Sequence, residues 1–230
     1  MHNKPLIGIV ARPDKDDNDS CVLMVLESYR KAIIESGGIP FLILPCGDVC
    51  YARYTAKEVP KMTSDEENIL IRQLKLCDGV LMPGGKNRYD YDRFITNYCL
   101  DNDIPVLGIC LGMQLLATHK NRDTLMEVDN HRLLGIDKAH EVYLNTYSYL
   151  YKIIKATNFY VNSRHGYKVT EVGNFDIVGY SSDGVIEAIE DRSKRFAIGV
   201  QWHPENLMDR EESKSLFKEF IKVCGDRNRN

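Results

Sequence analysis

The chain has 230 residues, of which 43% are hydrophobic and 27% are charged, and its formal net charge is −3. This mixture excludes a disordered chain, a collagen-like fibre and a coiled coil, and it provides no overall positive charge for binding nucleic acid or an anionic membrane. The length predicts one domain that spans residues 1–230. No apolar stretch reaches the roughly 18–20 residues that a membrane span requires.

The first half of the chain alternates short apolar strands with amphipathic helices. This order predicts a largely parallel sheet that is covered by helices. Strands are predicted at residues 6–10, 39–45, 78–82 and 104–108, and helices at 22–35, 64–76, 91–100 and 111–118. Ser64 and Glu67 have the spacing of a capping box for the second of these helices, and residues 46–61 form a connection without clear periodicity.

The second half contains strand patterns that are separated by short connections. We predict strands at residues 140–144, 159–162, 167–172, 175–180, 185–190 and 196–201, with helices at 148–155 and 213–223. No segment has the composition of a linker. The pattern therefore predicts a mixed sheet with helices on both faces.

The seven cysteines predict reduced thiols. Their number is odd and the N-terminal apolar run is too short for a signal peptide, so we expect a cytoplasmic protein rather than a disulfide framework. Cys46 and Cys50 are four residues apart, but they lack a second Cys or His pair at ligand spacing. No metal site is predicted from them.

The most specific signal is the segment Gly108-Ile109-Cys110-Leu111-Gly112. A buried strand precedes it and a helix follows, which is the arrangement that presents a nucleophile at a sharp turn. We expect a strained Cys110 whose thiolate is favoured by the start of the helix, with the N–H of Leu111 as half of an oxyanion hole. A buried cysteine beside helix-packing glycines is the alternative, and this motif alone does not decide between them.

Among six histidines, His203 is the candidate base. It follows an apolar strand, so it lies near a sheet end from which it can reach the terminus of a neighbouring strand. Glu205 is placed to orient the imidazole and to favour its protonated form, as the third member of a triad. We assign the other five histidines surface, capping or hydrogen-bonding duties. A strand end with a solvated glutamate is the alternative.

Together these segments resemble the class I glutamine amidotransferase superfamily. Four further segments resemble the gamma-glutamyl-gamma-aminobutyrate hydrolase (peptidase C26) family: residues 5–13, 81–85, 161–165 and 182–190. The resemblance extends over nearly the whole chain. It implies a three-layer α/β/α sandwich with a mostly parallel central sheet, of the flavodoxin-like kind.

The resemblance also implies a reaction and the residues that perform it. Cys110 attacks a γ-glutamyl amide carbonyl to give a thioester, His203 transfers protons and Glu205 orients His203. No metal or organic cofactor is required. Oxyanion or substrate contacts are implied for Gly85 (with Gly84 as the fallback), Leu111, Gln114, Asn162, Ser163 and His165. We expect residues 46–61 and 86–91 to contact the leaving amine, and a structural role for Asp183 and Glu187.

Three departures from the family pattern affect the specificity for that amine. Leu111 stands where the hydrolase branch often has Arg, residues 118–128 keep only Thr-Leu of a Gly-Gly-Thr-Leu pattern, and Gly166-Tyr167 replaces His-Gln. The function expected first is a hydrolase of a small γ-glutamyl compound without nucleic-acid or membrane partners, for which a homodimer is allowed. Two alternatives stay open, a glutaminase subunit that delivers ammonia to a separate synthetase and a non-catalytic ligand-binding relative.

Overall fold

The computed structural model describes residues 4–47, 61–120 and 124–226. Strands and helices are numbered in chain order. The strands are β1 (Leu6–Val10), β2 (Arg12–Lys15), β3 (Cys21–Met24), β4 (Ile39–Ile43), β5 (Gly79–Met82), β6 (Val106–Ile109), β7 (Leu125–Glu127), β8 (Arg132–Leu133), β9 (His140–Leu144), β10 (Asn158–Val161), β11 (Ser163–Arg164), β12 (Tyr167–Val169), β13 (Asp176–Ser181), β14 (Ile186–Glu190) and β15 (Ala197–Val200). The helices are α1 (Glu27–Glu35), α2 (Ser64–Leu74), α3 (Asp90–Asp101), α4 (Leu111–Ala117), α5 (Tyr149–Ile154) and α6 (Glu211–Gly225).

Within the described residues, nine strands form the central sheet, in the order β10-β9-β13-β14-β15-β6-β5-β1-β4. The five strands from β15 to β4 are parallel to one another. The four strands from β10 to β14 extend this parallel part by antiparallel pairing. The chain therefore builds the predicted sheet, with a parallel half that carries the elbow at Cys110 and an antiparallel half from the later residues.

Helices cover both faces of this sheet. Along β1, Ile7 and Ile9 point into a core that also contains residues of α1, α5 and α6, whereas Val10 points into a second core with residues of α2, α3 and α4. Side chains that alternate along a strand reach opposite faces, and in this sheet both faces are apolar. The predicted three-layer α/β/α class is confirmed.

One predicted helix is wrong at its start. Residues 21–24 form β3, which pairs with β2 in a hairpin, and α1 begins only at Glu27. The cause is the turn before β3, where the carboxylate of Asp16 accepts hydrogen bonds from the N–H groups of Asn18 and Ser20. Such local bonds from an aspartate close a turn, and the helical spacing of the apolar residues did not reveal it.

Two smaller predictions also need correction. The strand predicted as buried at residues 39–45 is the edge strand β4, and Ile39 and Leu42 are 45% and 41% exposed. The capping box of α2 lies one residue earlier than predicted, because Thr63 is the N-cap and pairs with Glu66. The other elements of the sequence analysis occur within a few residues of their predicted bounds.

The cysteines are mostly reduced, as predicted. Cys46, Cys77, Cys99, Cys110 and Cys224 are free thiols. Cys21 is an exception, because it is disulfide-bonded, and for this residue the prediction of a reduced thiol is wrong. In the described ranges, none of the helices combines the length and the apolar character that crossing a membrane demands.

Candidate active site

Cys110 lies at a strained turn between β6 and α4. Its backbone has φ 53° and ψ −105°, which is a rare conformation for a residue with a side chain. A Cβ on Gly108 would lie 2.6 Å from the backbone of Gly112, and a Cβ on Gly112 would collide with the carbonyl of Met82 in β5. The close packing of three backbone segments therefore requires glycine on both sides of the cysteine.

The pairing of β6 with β15 brings His203 to Cys110. These strands run parallel with Ile109 opposite Val200, and the N–H of Cys110 donates to the carbonyl of Val200 over 2.8 Å. Both chains then turn at the same edge of the sheet. A Cβ on Gly84 would lie 2.8 Å from Cε1 of His203 and 3.5 Å from Cβ of Cys110, so the three residues meet at one point.

Glu205 holds the imidazole of His203 from the other side. Its Oε1 lies 2.7 Å from Nδ1 of His203, and the short 3-10 helix Pro204–Asn206 fixes the distance between the two residues. Burial acts to lower the pKa of His203, but Glu205 and Cys110 outweigh it by charge and hydrogen bonding and raise this pKa to about 10. The imidazole is therefore protonated at neutral pH, and it can donate this proton beside the sulfur.

Two further side chains fix the position of His203. The amide of Asn162 donates to the carbonyl of His203 over 2.9 Å and accepts from its N–H over 2.8 Å. The hydroxyl of Tyr29, in α1, lies 3.5 Å from Nδ1 of His203 and accepts a hydrogen bond from the N–H of Gly84 over 2.9 Å. The backbone and the ring of the histidine are therefore held separately.

A cavity of about 530 Å³ opens above Cys110 and His203. Its size suits a small-molecule ligand. The wall of this cavity carries more basic than acidic side chains. Its acidic residue is Asp14, and its cationic residues are Arg12, Lys15, Lys86, Arg132 and Arg164. Arg12 is paired with the buried Asp92 over 2.6 Å, while its Nε has no hydrogen-bond partner among the described residues.

The predicted site residues divide into two groups. Cys110, His203 and Gly85 line the cavity, and Leu111 lies next to Gly85, since a Cβ on this glycine would stand 2.9 Å from Cδ2 of Leu111. Glu205 lies behind His203. The sequence analysis expected amine contacts from two segments: Lys86, Asn87 and Tyr89 line the cavity, whereas residues 48–60 lie outside the described residues.

The remaining predicted contacts lie behind the cavity wall. The amide of Gln114 donates to the carbonyl of Tyr167 over 3.1 Å and to Oε1 of Gln201 over 3.2 Å. Ser163 donates to the carbonyl of His131 over 2.5 Å, and His165 lies 3.0 Å from the carbonyl of Tyr167 through its Nδ1. Like Asn162, these side chains are buried and bonded within the protein.

No individual role was predicted for several residues of the cavity, although Arg12 and Arg164 belong to segments that resemble the family. Tyr29 and Arg12 belong to elements far from Cys110 along the chain, and only the sheet order brings them together. Arg132 and Arg164 are directly opposite each other in the β8–β11 pair. The sequence does contain one feature that these two arginines share, because each is adjacent to a histidine. This feature could have indicated that they belong to one group.

Comparisons with known proteins identify a family and several relatives. The Peptidase C26 family profile matches residues 5–205. The chain is 28% identical to a glutamine amidotransferase-like protein of Rickettsia prowazekii, covering 97% of this chain and 99% of that protein. It is also 28% identical to the gamma-glutamyl-gamma-aminobutyrate hydrolase of Escherichia coli K12, covering 96% and 94%.

A solved structure supports the fold. The Trypanosoma brucei CTPS glutaminase domain with bound acivicin superposes with a TM-score of 0.64 at 20% identity, over 96% of this chain and 94% of that one. Together with the relatives above, this defines an enzyme of the glutamine amidotransferase type, whose function is γ-glutamyl amide hydrolysis or glutamine amide transfer. Because the family profile matches most of its length, the chain belongs to the Peptidase C26 family.

Proposed function

We propose that this enzyme hydrolyses the γ-glutamyl amide bond of a small compound whose leaving amine carries an acidic group. The observation that carries the proposal is the pair of Cys110 and a protonated His203 at the floor of a cavity with cationic walls. The relative in E. coli, named for its hydrolysis of gamma-glutamyl-gamma-aminobutyrate, supports the same substrate class.

In the first step, the Cys110 thiolate attacks the γ-carbonyl carbon of the substrate. The C–N bond then breaks, and the proton of His203 passes to the leaving nitrogen. This step yields a γ-glutamyl thioester on Cys110 and a free amine. Glu205 stabilises the imidazolium and holds the ring in place through Nδ1, so the remaining nitrogen, Nε2, faces the reacting atoms.

In the second step, water attacks the thioester. The neutral His203 takes a proton from this water, the C–S bond breaks and glutamate leaves. Cys110 returns to the thiolate and His203 to the imidazolium. The sum is one water consumed, with one glutamate and one amine released, so the cycle needs no other reactant.

Negative charge develops on the carbonyl oxygen in both steps. We assign its stabilisation to the N–H groups of Leu111 and Gly85. The fallback, Gly84, is less suited because its N–H already donates to Tyr29. Leu111 is the first residue of α4, where N–H groups have no partner within the helix.

The charge of the cavity wall supports an acidic substrate. The glutamyl head itself carries an α-carboxylate, and a second carboxylate on the leaving amine would find another of the cationic side chains. A charge-assisted hydrogen bond contributes about 1.5–3 kcal/mol. The loss of one such contact is thus expected to lower kcat/KM by roughly 10- to 100-fold.

The test compares two substrates of matched length, γ-glutamyl-γ-aminobutyrate and γ-glutamyl-butylamine, by the release of glutamate. We expect the acidic substrate to be preferred at least about tenfold in kcat/KM. Arg132→Gln and Arg164→Gln are expected to reduce this preference without abolishing glutamate release. Equal rates for the two substrates would refute the acidic leaving group, while loss of all activity in Cys110→Ser would still support the chemistry.

A glutaminase role is the second candidate. Leu111 and the structural likeness to the CTPS glutaminase domain favour it. Assay of glutamine hydrolysis by the purified enzyme, alone and with cell extract, separates the two. Hydrolysis of glutamine only in the presence of a partner, with no turnover of either γ-glutamyl amide above, would replace the first proposal by the second.

A further inference from the structure

Three histidines converge on one buried carboxylate outside the proposed triad. His131 precedes β8, His140 begins β9, His165 lies between β11 and β12, and Glu187 lies in β14. We call this group the His–Glu cluster, with Asp183 beside it. Glu187 is fully buried and His131 and His165 are nearly so, although none of these side chains lines the cavity over Cys110.

The ligand atoms are spaced as around a metal ion. Oε1 of Glu187 lies 3.5 Å from Nδ1 of His131, 3.2 Å from Nε2 of His140 and 3.5 Å from Nε2 of His165. A tetrahedral zinc ion bound at about 2.0–2.1 Å separates its ligand atoms by roughly 3.3 Å. The ligand atoms of His131, His140 and Glu187 all lie within 4.8 Å of one another, and Nε2 of His165 lies 3.2 Å from Nδ1 of His131.

Hydrogen bonds at the outer nitrogens of His131 and His165 orient the two rings so that their other nitrogens face the centre of the cluster. Nε2 of His131 lies 3.0 Å from the carboxylate of Asp183, and Nδ1 of His165 lies 3.0 Å from the carbonyl of Tyr167. Both partners only accept, so each of these nitrogens carries a proton. Nδ1 of His131 and Nε2 of His165 then face the centre of the cluster, where they lie 3.2 Å apart.

The centre of the cluster is a buried carboxylate that is surrounded by imidazole nitrogens. Although Nε2 of His140 lies 3.2 Å from Oε1 of Glu187, neither oxygen of Glu187 nor Nε2 of His140 makes a hydrogen bond of good geometry with the described residues. Buried acceptors without donors are costly. A carboxylate behind a histidine, as Asp183 stands behind His131, is also the usual outer support of a metal ligand.

We propose that the His–Glu cluster binds a divalent transition-metal ion of the Zn²⁺ type through His131, His140 and Glu187, with His165 as the fourth donor. Imidazole and carboxylate suit zinc better than magnesium or calcium, which prefer oxygen ligands alone. His140 and Asp183 are partly exposed, at 14% and 56% of their side chains, and provide a path from the surface.

The expected role of this ion is structural. It joins the ends of β8, β9 and β11 to β14, and of these strands β8 and β11 are only two residues long and pair with each other at two positions. The same segment carries Arg132 and Arg164 into the cavity. The ion is thus expected to stabilise the cavity wall, while the proposed reaction at Cys110 requires no metal.

The experiment measures zinc in the untagged protein in a Cys110→Ser background, so that the thiol beside His203 cannot bind the ion. We expect about one zinc ion per chain by elemental analysis, a lower Tm after removal by a chelator and recovery of Tm when Zn²⁺ alone is restored. Substitution by Co²⁺ is expected to give visible bands of a nitrogen and oxygen site without charge transfer from sulfur.

Variants locate the ion. His140→Gln and Glu187→Gln are expected to lower zinc content at least about tenfold, whereas His119→Gln, a half-buried histidine outside the cluster, keeps it. His140→Gln is the safer variant for folding because His140 is the most exposed of the three histidines. Protein with no zinc and no response of Tm to Zn²⁺, or full zinc retention in His140→Gln, would overturn the proposal. The cluster would then be held together by hydrogen bonds among its own side chains.

Discussion

Two buried glutamates among the described residues contact histidines, and they differ in the number of histidines around them and in their access to the cavity. Glu205 contacts one imidazole, whose other side faces the sulfur of Cys110 and an open cavity. Glu187 is surrounded by three imidazoles and does not line that cavity. Asn162 and Ser163 lie between the groups, since Asn162 binds the backbone of His203 and Ser163 that of His131. The same residue types can therefore favour proton transfer in one place and cation binding in the other.

The strongest test of this difference between the two groups is to replace one histidine in each of them. His203→Ala is expected to lower the rate of glutamate release by on the order of 10⁴–10⁶-fold, because the acid and base of both steps is lost. His140→Gln is expected to lower Tm and to change the rate by less than about tenfold, because it lies away from the reacting atoms. Single-turnover assays and thermal unfolding measure both. A large rate loss in His140→Gln would mean that the two groups act as one.

A second prediction concerns the charge of His203. Because its pKa is raised from 6.5 to about 10 in the folded protein, its contribution to stability is complete below pH 6.5 and is lost as the pH rises through about 10. Glu205→Gln is expected to lower the pKa of His203, so that this contribution to stability is lost at a lower pH. The same substitution is expected to lower activity on the order of 10²–10⁴-fold.

The measurement for Glu205→Gln is the NMR titration of His203, together with the free energy of unfolding between pH 6 and 10. Asp191→Asn, at a half-buried position before a turn, is a control that leaves the titration of His203 in place. An unchanged His203 titration in Glu205→Gln would show that Cys110, rather than Glu205, raises the pKa.

The third prediction compares the glycines beside the two groups. Gly112→Ala is expected to destabilise the fold by about 1–3 kcal/mol, because the added methyl group collides with the carbonyl of Met82 beneath Cys110. Gly166→Ala, next to His165, is expected to be nearly neutral, since a Cβ there meets nothing within 4 Å. Urea unfolding of the two variants measures the difference, and equal stability would contradict the tight backbone packing at the elbow.

The sequence was informative where structure is local. The elbow could be predicted because strand, cysteine, glycines and helix are contiguous, and Glu205 because it lies two residues from His203. The hairpin of β2 and β3 was missed because its turn depends on the carboxylate of Asp16 rather than on apolar spacing.

The His–Glu cluster could not be predicted for a different reason. Its members come from separate segments, and they were predicted separately, with ordinary roles for His131 and His140 and a substrate contact for His165. Only the pairing of β8 with β11 and the order of the antiparallel strands bring His131, His140 and His165 to Glu187. Tyr29 likewise reaches His203 from a helix that is distant along the chain.

The β8–β11 ladder has a consequence for insertions and deletions. Arg132 and Arg164 face each other across two short strands, and His131 and His165 are their immediate neighbours on the buried side. Since consecutive residues of a strand point in opposite directions, the loss of one residue from either strand would turn a guanidinium inward and an imidazole outward. A deletion of one residue here would thus exchange the residues that point into the protein with those that point outward. The lengths of β8 and β11 are therefore constrained more strictly than their amino-acid composition.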